Sequence, residues 1–332
     1  MQKFLIIQTA FIGDVVLATG LIEKLHSFFP DAQIDFLVRK GNEGLLQNHP
    51  YLRQVLAWDK KKKKYTHLFR LLKQIRKEKY DRVINVQRYA ATGLLTAFSE
   101  AKYSIGFDKN PWSFLFTKKI KHITGTNESG IHEIERNNTL IASFTNNKAF
   151  KPKLYPTQQD YEAIKQYQSQ KYICIAPSSV WFTKQYPREK WINMINKLSP
   201  SFNVYLLGAP SDEVLCDTII KNAGNKHVYS LAGKLSMLQS AALQQNAYMN
   251  YVNDSAPMHF ASAMNAPVTA VYCSTIPSFG YGPLSDKSFI VETKEQPECR
   301  PCGIHGHKEC PQKHFKCALT IQDEQLLTVL NA

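Results

Sequence analysis

Apolar residues along this chain fall into two alternating patterns: short continuous blocks, and longer stretches in which they return every third or fourth position. The blocks read as buried strands and the longer period as amphipathic helices. Phe4-Leu5-Ile6-Ile7 is the first strand. Val15 to Phe28 predicts a helix with Leu17, Leu21 and Leu25 in register, and Pro30-Asp31 breaks the chain before the strand Ile34-Asp35-Phe36-Leu37-Val38. Leu68, Leu71, Leu72 and Ile75, spaced i, i+3, i+4 and i+7, predict a helix within Lys60 to Arg82; the strand Val83 to Val86 and a helical pattern at Leu94-Leu95 through Phe98 follow. From 146 to 171 the pattern lapses into Asn146-Asn147-Lys148, Pro152, Pro156 and polar sequence. The same logic then returns, with strands at Tyr172 to Ala176, Val204 to Leu207, Tyr248 to Val252 and Val268 to Tyr272. Helices are predicted at Trp191 to Leu198, Val214 to Asn222, Leu235 to Gln245, after Asp254, and as a short pattern from Asp323 to Leu330. Repeated strand-helix-strand units imply parallel sheets covered on both faces. The expectation is an α/β chain of two doubly wound domains, 1–152 and 153–332, with a cleft between them and ligands at the C-terminal ends of the strands.

Composition narrows this picture only slightly. At 332 residues and 44% hydrophobic the chain can bury a large core in two domains. Met1 to Ile7 is too short for a signal peptide and no apolar run reaches membrane-spanning length, so a cytoplasmic location is expected. Charge is informative in its distribution: residues 1–150 hold 24 Lys+Arg against 13 Asp+Glu, and residues 151–332 hold 17 against 14. Eleven of those basic residues lie between Lys60 and Arg82, starting with the run Lys60, Lys61, Lys62, Lys63 and Lys64. A basic amphipathic helix there is either a solvated surface helix or a site of attraction for an anionic partner, whether membrane surface or phosphorylated substrate. Nucleic acid is disfavoured, because no zinc-finger, basic-zipper or aromatic RNA-binding signature accompanies the charge.

Four segments carry candidate chemistry. Asn253-Asp254-Ser255-Ala256-Pro257-Met258-His259 lies where a strand opens into a helix, whose N-terminus can hold a diphosphate; Asp254 or Ser255 serving only as a cap is the alternative. Thr9 to Val16 follows the first strand with a single glycine, Gly13, and so matches neither a dinucleotide fingerprint nor a Walker A loop. Asp14 within it is a helix cap or a general base toward a sugar hydroxyl. Ala176 to Pro187 combines Ser178 and Ser179 with Lys184, a set suited to phosphate, while Asp212 and Glu213 either complement a helix dipole or accept from ribose hydroxyls. Lastly, Cys299, Cys302, Cys310 and Cys317, interleaved with His305, His307 and His314, have ligands enough for a structural zinc; reduced thiols or a local disulfide are the alternatives.

Taken in order, these segments resemble the glycosyltransferase family 9 heptosyltransferases. The resemblance spans nearly the whole chain. It rests on Phe11-Ile12-Gly13-Asp14-Val15-Val16-Leu17-Ala18-Thr19, Phe29-Pro30-Asp31-Ala32, Ser179-Val180-Trp181 with Lys184 and Tyr186-Pro187, and Asn253-Asp254-Ser255 with His259. Ala266-Pro267-Val268 adds to it, and Gly280-Tyr281-Gly282-Pro283 and the cysteine tail are similar to the heptosyltransferase II branch. The resemblance implies a GT-B fold of two Rossmann-like domains, an N-terminal one for the acceptor and a C-terminal one for the nucleotide sugar. It implies ADP-heptose as donor, a phosphorylated lipid A/core acceptor of lipopolysaccharide at an anionic membrane surface, and no metal cofactor for catalysis. By residue, it implies Asp14 as general base, Lys184 against the donor diphosphate, and Ser178, Ser179, Asp254, Ser255 and His259 around the phosphate and sugar. Asp212 or Glu213 would meet the ribose, and Gly13, Lys60 to Lys64 and Arg88 would lie on the acceptor side. The sequence departs from the family pattern at Gly20, where proline is common, at Ser178 in place of glycine, and at Asp254-Ser255-Ala256-Pro257 in place of Asp-Thr-Gly-Leu. A transferase using another nucleotide sugar or acceptor, or a non-catalytic nucleotide-binding protein, are the alternatives that the same segments allow.

Overall fold

The computed structural model describes residues 1–123 and 130–331. These form two compact units, one running to residue 123 and resuming over Ile131–Tyr155, the other from Pro156 onward. Among the described residues, no helix is long and apolar enough to cross a membrane.

The first unit is a six-stranded sheet of β1 (Lys3–Ile7), β2 (Gln33–Arg39), β3 (Leu52–Trp58), β4 (Arg82–Asn85), β5 (Tyr103–Phe107) and β6 (Lys118–Ile120). Its strands are all parallel, in the order β3-β2-β1-β4-β5-β6. The chain moves outward from β1 through β2 to β3 and then returns to β4 on the other side of β1. The order therefore reverses between β1 and β4, and the loops after these two strands lie at a topological switch point, where open α/β sheets bind ligands. Helices α1 (Ile12–Phe28), α2 (Lys64–Glu78), α3 (Ala90–Ala97) and α4 (Glu133–Thr139) complete the unit. Leu68, Leu71, Leu72 and Ile75 of α2 pack with Leu5, Ile7, Leu37 and Val83, as their spacing requires.

The second unit repeats the plan. Strands β7 (Tyr172–Ala176), β8 (Asn203–Leu206), β9 (Val228–Ser230), β10 (Met249–Asn253), β11 (Val268–Tyr272) and β12 (Ser288–Glu292) form a parallel sheet in the order β12-β11-β10-β7-β8-β9. Here the switch point lies between β7 and β10. Helices α5 (Gln158–Ile164), α6 (Arg188–Lys197), α7 (Glu213–Asn222), α8 (Met237–Gln245), α9 (Ala256–Ala263), α10 (Lys316–Leu319) and α11 (Asp323–Leu327) surround it.

Three features differ from the reading of the sequence. The helix expected within Lys60 to Arg82 begins only at Lys64, because the Asp59 carboxylate accepts from the backbone N–H groups of Lys61 and Lys62, both at 2.9 Å, and Lys63 turns into the left-handed region. Those two hydrogen bonds hold the Asp59 carboxyl down to about 2. Strands β3, β5, β6, β9 and β12 stand outside the reading of the sequence; β3 carries the exposed Arg53 and buries only Leu56 and Trp58, and β9 has only Val228 buried. The segment from 146 to 155, which lacks any period, is fastened along α1. The fully buried Lys24 ammonium donates to Asn138 Oδ1 at 2.6 Å, to the Asn146 carbonyl at 2.5 Å and to the Lys148 carbonyl at 2.8 Å. The Lys153 N–H donates to Thr19 Oγ1 at 2.9 Å, and the Tyr155 hydroxyl donates to Glu23 at 2.9 Å.

Gly20 belongs to the same seam. A Cβ at this position would lie 2.5 Å from the Phe150 carbonyl oxygen, so the glycine admits a backbone that a side chain would push away. Propensity alone favours alanine over glycine in a helix interior by about 1 kcal/mol. A Gly20→Ala variant is nonetheless expected to lose about 1–3 kcal/mol of stability through the overpacked seam. Urea unfolding would read this as a lower midpoint at unchanged slope; a raised midpoint would show that the Phe150 backbone yields without cost.

Candidate active site

At the switch point of the second unit, one buried side chain ties the loops together. Asn253, the last residue of β10, is fully buried, and its Oδ1 accepts from the Tyr186 N–H at 2.8 Å while its Nδ2 donates to the Pro177 carbonyl at 2.9 Å. The loop leaving β7, the turn before Tyr186 and the start of α9 are thereby fixed to one amide. Next to it, Asp254 Oδ2 receives Lys184 Nζ at 2.7 Å and the Thr275 hydroxyl at 2.7 Å, with both charged side chains largely out of water. A lysine has three donors, so this pairing leaves the ammonium able to meet anionic oxygens as well.

The cap that the sequence allowed for α9 is made in position and not by a side-chain hydrogen bond. Ser255 occupies the N-cap, but its hydroxyl donates back to the Asn253 carbonyl at 3.3 Å, and Pro257 stands in the first turn. His259 is buried within α9. Ser178 Oγ donates to Asp212 Oδ1 at 2.9 Å, and Asp212 Oδ2 accepts from the Ala209 N–H at 2.8 Å, so Asp212 ties the loop after β8 to the loop after β7. The Ser179 carbonyl accepts from Gln185 Nε2 at 2.6 Å. Glu213, exposed in the first turn of α7, lies over Gly233, where a Cβ would come within 2.9 Å of its carboxylate.

In the first unit, Gly13 and Asp14 are the second and third residues of α1, directly beyond the C-terminal end of β1. The N-cap is Phe11, which offers no side-chain acceptor, so Asp14 contributes a carboxylate to the first turn, where the helix dipole favours negative charge. The lysine run does not act as one patch. Lys60 folds back to donate to the Thr9 carbonyl at 2.7 Å and lies 4.9 Å over the Trp58 ring. Burial, with Arg39 and Lys64 nearby, lowers its ammonium to about 8. Lys61, Lys62, Lys63 and Lys64 are exposed, and Lys62 and Lys63 line a cavity of about 480 Å³ with Lys40, His67 and Arg70. Arg88 is exposed just past β4, and burial of His122, with Arg88 and Arg136 nearby, pushes that imidazole down to about 4.

Among the described residues no group of three or more His, Cys, Asp or Glu side chains could hold a metal ion. Cys299 Sγ lies 3.8 Å from His314 Nε2, Cys302 Sγ donates to the Cys299 carbonyl, and Cys317 is buried in α10 with its thiol pushed up to about 12 by burial. None of the four tail cysteines is in a disulfide. The residues that the sequence reading passed over are Thr183, Ser274, Thr275 and Arg300. The available signal was the hydroxyl pair Ser274-Thr275 just past β11, at the same end of the sheet as Asp254.

The family model of glycosyltransferase family 9 (heptosyltransferase) matches residues 68–314. The chain is similar to a lipopolysaccharide heptosyltransferase 1 of Campylobacter coli, 25% identical, over 99% of this chain and 98% of that one. Its fold is similar to a glycosyltransferase family 9 protein of Veillonella parvula, with TM-score 0.83 and 18% identity over 99% and 97% of the two chains. A further likeness is to E. coli ADP-heptose lipopolysaccharide heptosyltransferase II, with TM-score 0.77 and 19% identity over 100% and 99%. Two parallel six-stranded sheets with helices between their strands are the GT-B plan expected from the sequence. With a family match covering most of its length and a fold shared from end to end, this chain belongs to glycosyltransferase family 9.

Proposed function

We propose that this protein transfers heptose from ADP-heptose to a phosphorylated inner-core acceptor of lipopolysaccharide, with inversion at the anomeric carbon. The observation that carries the reading is the Lys184–Asp254 pair at the switch point of the second sheet, beside the N-terminus of α9. A departing diphosphate needs positive charge, and Lys184 together with the helix N-terminus provides it. Asp254 orients Lys184 instead of meeting phosphate itself, since a carboxylate facing a diphosphate would repel it. Ser178, Ser179, Ser255 and His259 border the same loops, and Asp212 or Glu213 takes the ribose. Asp14 accepts the proton of the attacking acceptor hydroxyl; the oxygen bonds to the anomeric carbon as the bond to the ADP oxygen breaks on the opposite face. The cationic surroundings of Gly13, Lys60 and Arg88 receive the acceptor phosphates, and the exposed lysines Lys61 to Lys64 meet the anionic surface of the membrane that presents the lipid on its cytoplasmic face. The shape of the Ala256-Pro257 turn and Ser178 bear on donor choice, which a panel of nucleotide sugars assayed for ADP release would define.

Asp14→Ala is expected to lower turnover about 10²- to 10⁴-fold while ADP affinity stays within about twofold, as calorimetry would measure. Equal turnover in variant and parent would remove Asp14 as the base. A pH profile tests Lys60. Its ammonium is charged below about 8 and loses its proton above, so acceptor KM should rise as pH increases through that value. Lys60→Arg should flatten the rise, and a profile unchanged by that substitution would exclude Lys60 from acceptor binding. Replacing Lys61 to Lys64 with glutamine should weaken sedimentation with phosphatidylglycerol vesicles by up to about 1 kcal/mol per charge; undiminished binding would refute the membrane role.

A further inference from the structure

The segment following β12 is stitched to the residues around Lys184 along two separate routes. On the first, the Thr183 N–H donates to the His307 carbonyl at 3.1 Å and the His307 N–H donates to Thr183 Oγ1 at 2.8 Å, a reciprocal pair of hydrogen bonds. Ser274 Oγ also donates to Thr183 Oγ1, at 3.0 Å, and the Cys302 N–H donates to the Ser274 carbonyl at 2.8 Å. Thr183 itself is buried and immediately precedes Lys184. Gly306 makes the approach feasible: its φ is +73°, and a Cβ there would lie 2.8 Å from Thr183 Oγ1 and 3.3 Å from both Lys184 Cγ and Ser274 Oγ. On the second route, the Arg300 guanidinium donates to the Cys273 carbonyl at 2.8 Å and the Thr275 carbonyl at 2.9 Å, and pairs with Glu292 at 2.7 Å. Thr275 is the residue whose hydroxyl donates to Asp254, and Asp254 holds Lys184.

We infer that the segment 300–307 is the positioning wall of the donor diphosphate site, with Gly306 setting the Lys184 stem from one side and Arg300 setting its Asp254 partner from the other. None of its side chains touches the ligand in this scheme; they act through Thr183 and Thr275, and so are positioning residues. The inference rests on the reading that Lys184 meets the donor diphosphate. It gives the cysteine- and histidine-containing tail a part in the reaction that requires no metal ligation: its backbone, folded back at Gly306 and anchored by Arg300, fixes the direction of one ammonium. A flexible four-carbon lysine stem loses rotamer freedom when it binds, and a wall that restricts it beforehand raises affinity without adding a contact to ligand.

ADP binding to the full-length protein, measured by calorimetry, tests this without an acceptor. Gly306→Ala and the near-isosteric Thr183→Val should each weaken ADP about tenfold, a size typical of coupling between neighbouring groups, with circular dichroism and melting temperature confirming the fold. Each should have little further effect in a Lys184→Ala background, because their influence passes through that side chain; a simple loss of local stability would not vanish there. Arg300→Lys should retain more ADP affinity than Arg300→Met. If Lys184→Ala leaves ADP affinity unchanged, the underlying assignment of the diphosphate to Lys184 fails. If Lys184→Ala weakens ADP but folded Thr183→Val and Gly306→Ala do not, or if they weaken it equally with and without Lys184, the positioning wall is overturned and the assignment stands.

Discussion

The candidate site of the second unit depends on the side-chain amide of Asn253. Because it is fully buried, every polar atom it carries must find a protein partner, and the partners available are backbone groups at the two ends of the connection between β7 and α6. An amide can accept from one and donate to the other; aspartate lacks the donors and leucine both functions. This dual character locks the loop after β7 to the turn before Tyr186, and both to the residue that begins α9. Lys184 and Asp254 then stand next to fixed points and need little reorganisation to form their 2.7 Å contact.

Three lysines show how surroundings, not residue type, decide a role. Lys24 is fully buried among neutral oxygens of Asn138, Asn146 and Lys148, and burial lowers its ammonium; it serves as a clamp for the segment along α1. Lys60 is partly buried against Trp58 and near other cations, which brings its titration down to about 8. Lys184 has a carboxylate at hydrogen-bonding distance. Burial without a counter-charge destabilises the charged form of the first two. The first arrangement suits a structural staple, the second a group responsive to pH, and the third a site for anions.

Much of the fold was legible in apolar periodicity. The strands β1, β2, β4, β7, β8, β10 and β11 stood out as largely apolar runs because they lie inside the sheets and are buried on both faces, as parallel strands require. Peripheral strands escape that signal: β3 meets water on part of its length, and β12 carries only Val291 fully buried. The lysine run was legible as charge but not as shape, since Asp59 bends it before α2 begins. Of the candidate residues, Asp14, Lys184 and Asp254 stood out because their strand-end positions could be read locally. Thr275 and Arg300 did not, because their contacts join residues 21 and 25 positions apart.

What the sequence by itself determined is therefore the alternation of strand and helix, the positions of the strand-end loops, and the concentration of positive charge before residue 150. These are local quantities: each follows from the spacing or count of side chains within one segment. Only the tertiary structure decided that Lys184 pairs with Asp254, that Gly20 admits the Phe150 carbonyl, and that Gly306 lies against Thr183. Each of these joins segments distant in the chain, and no local period encodes the distance between them; that distance is set when the parallel sheets close and the buried polar atoms take the partners within reach.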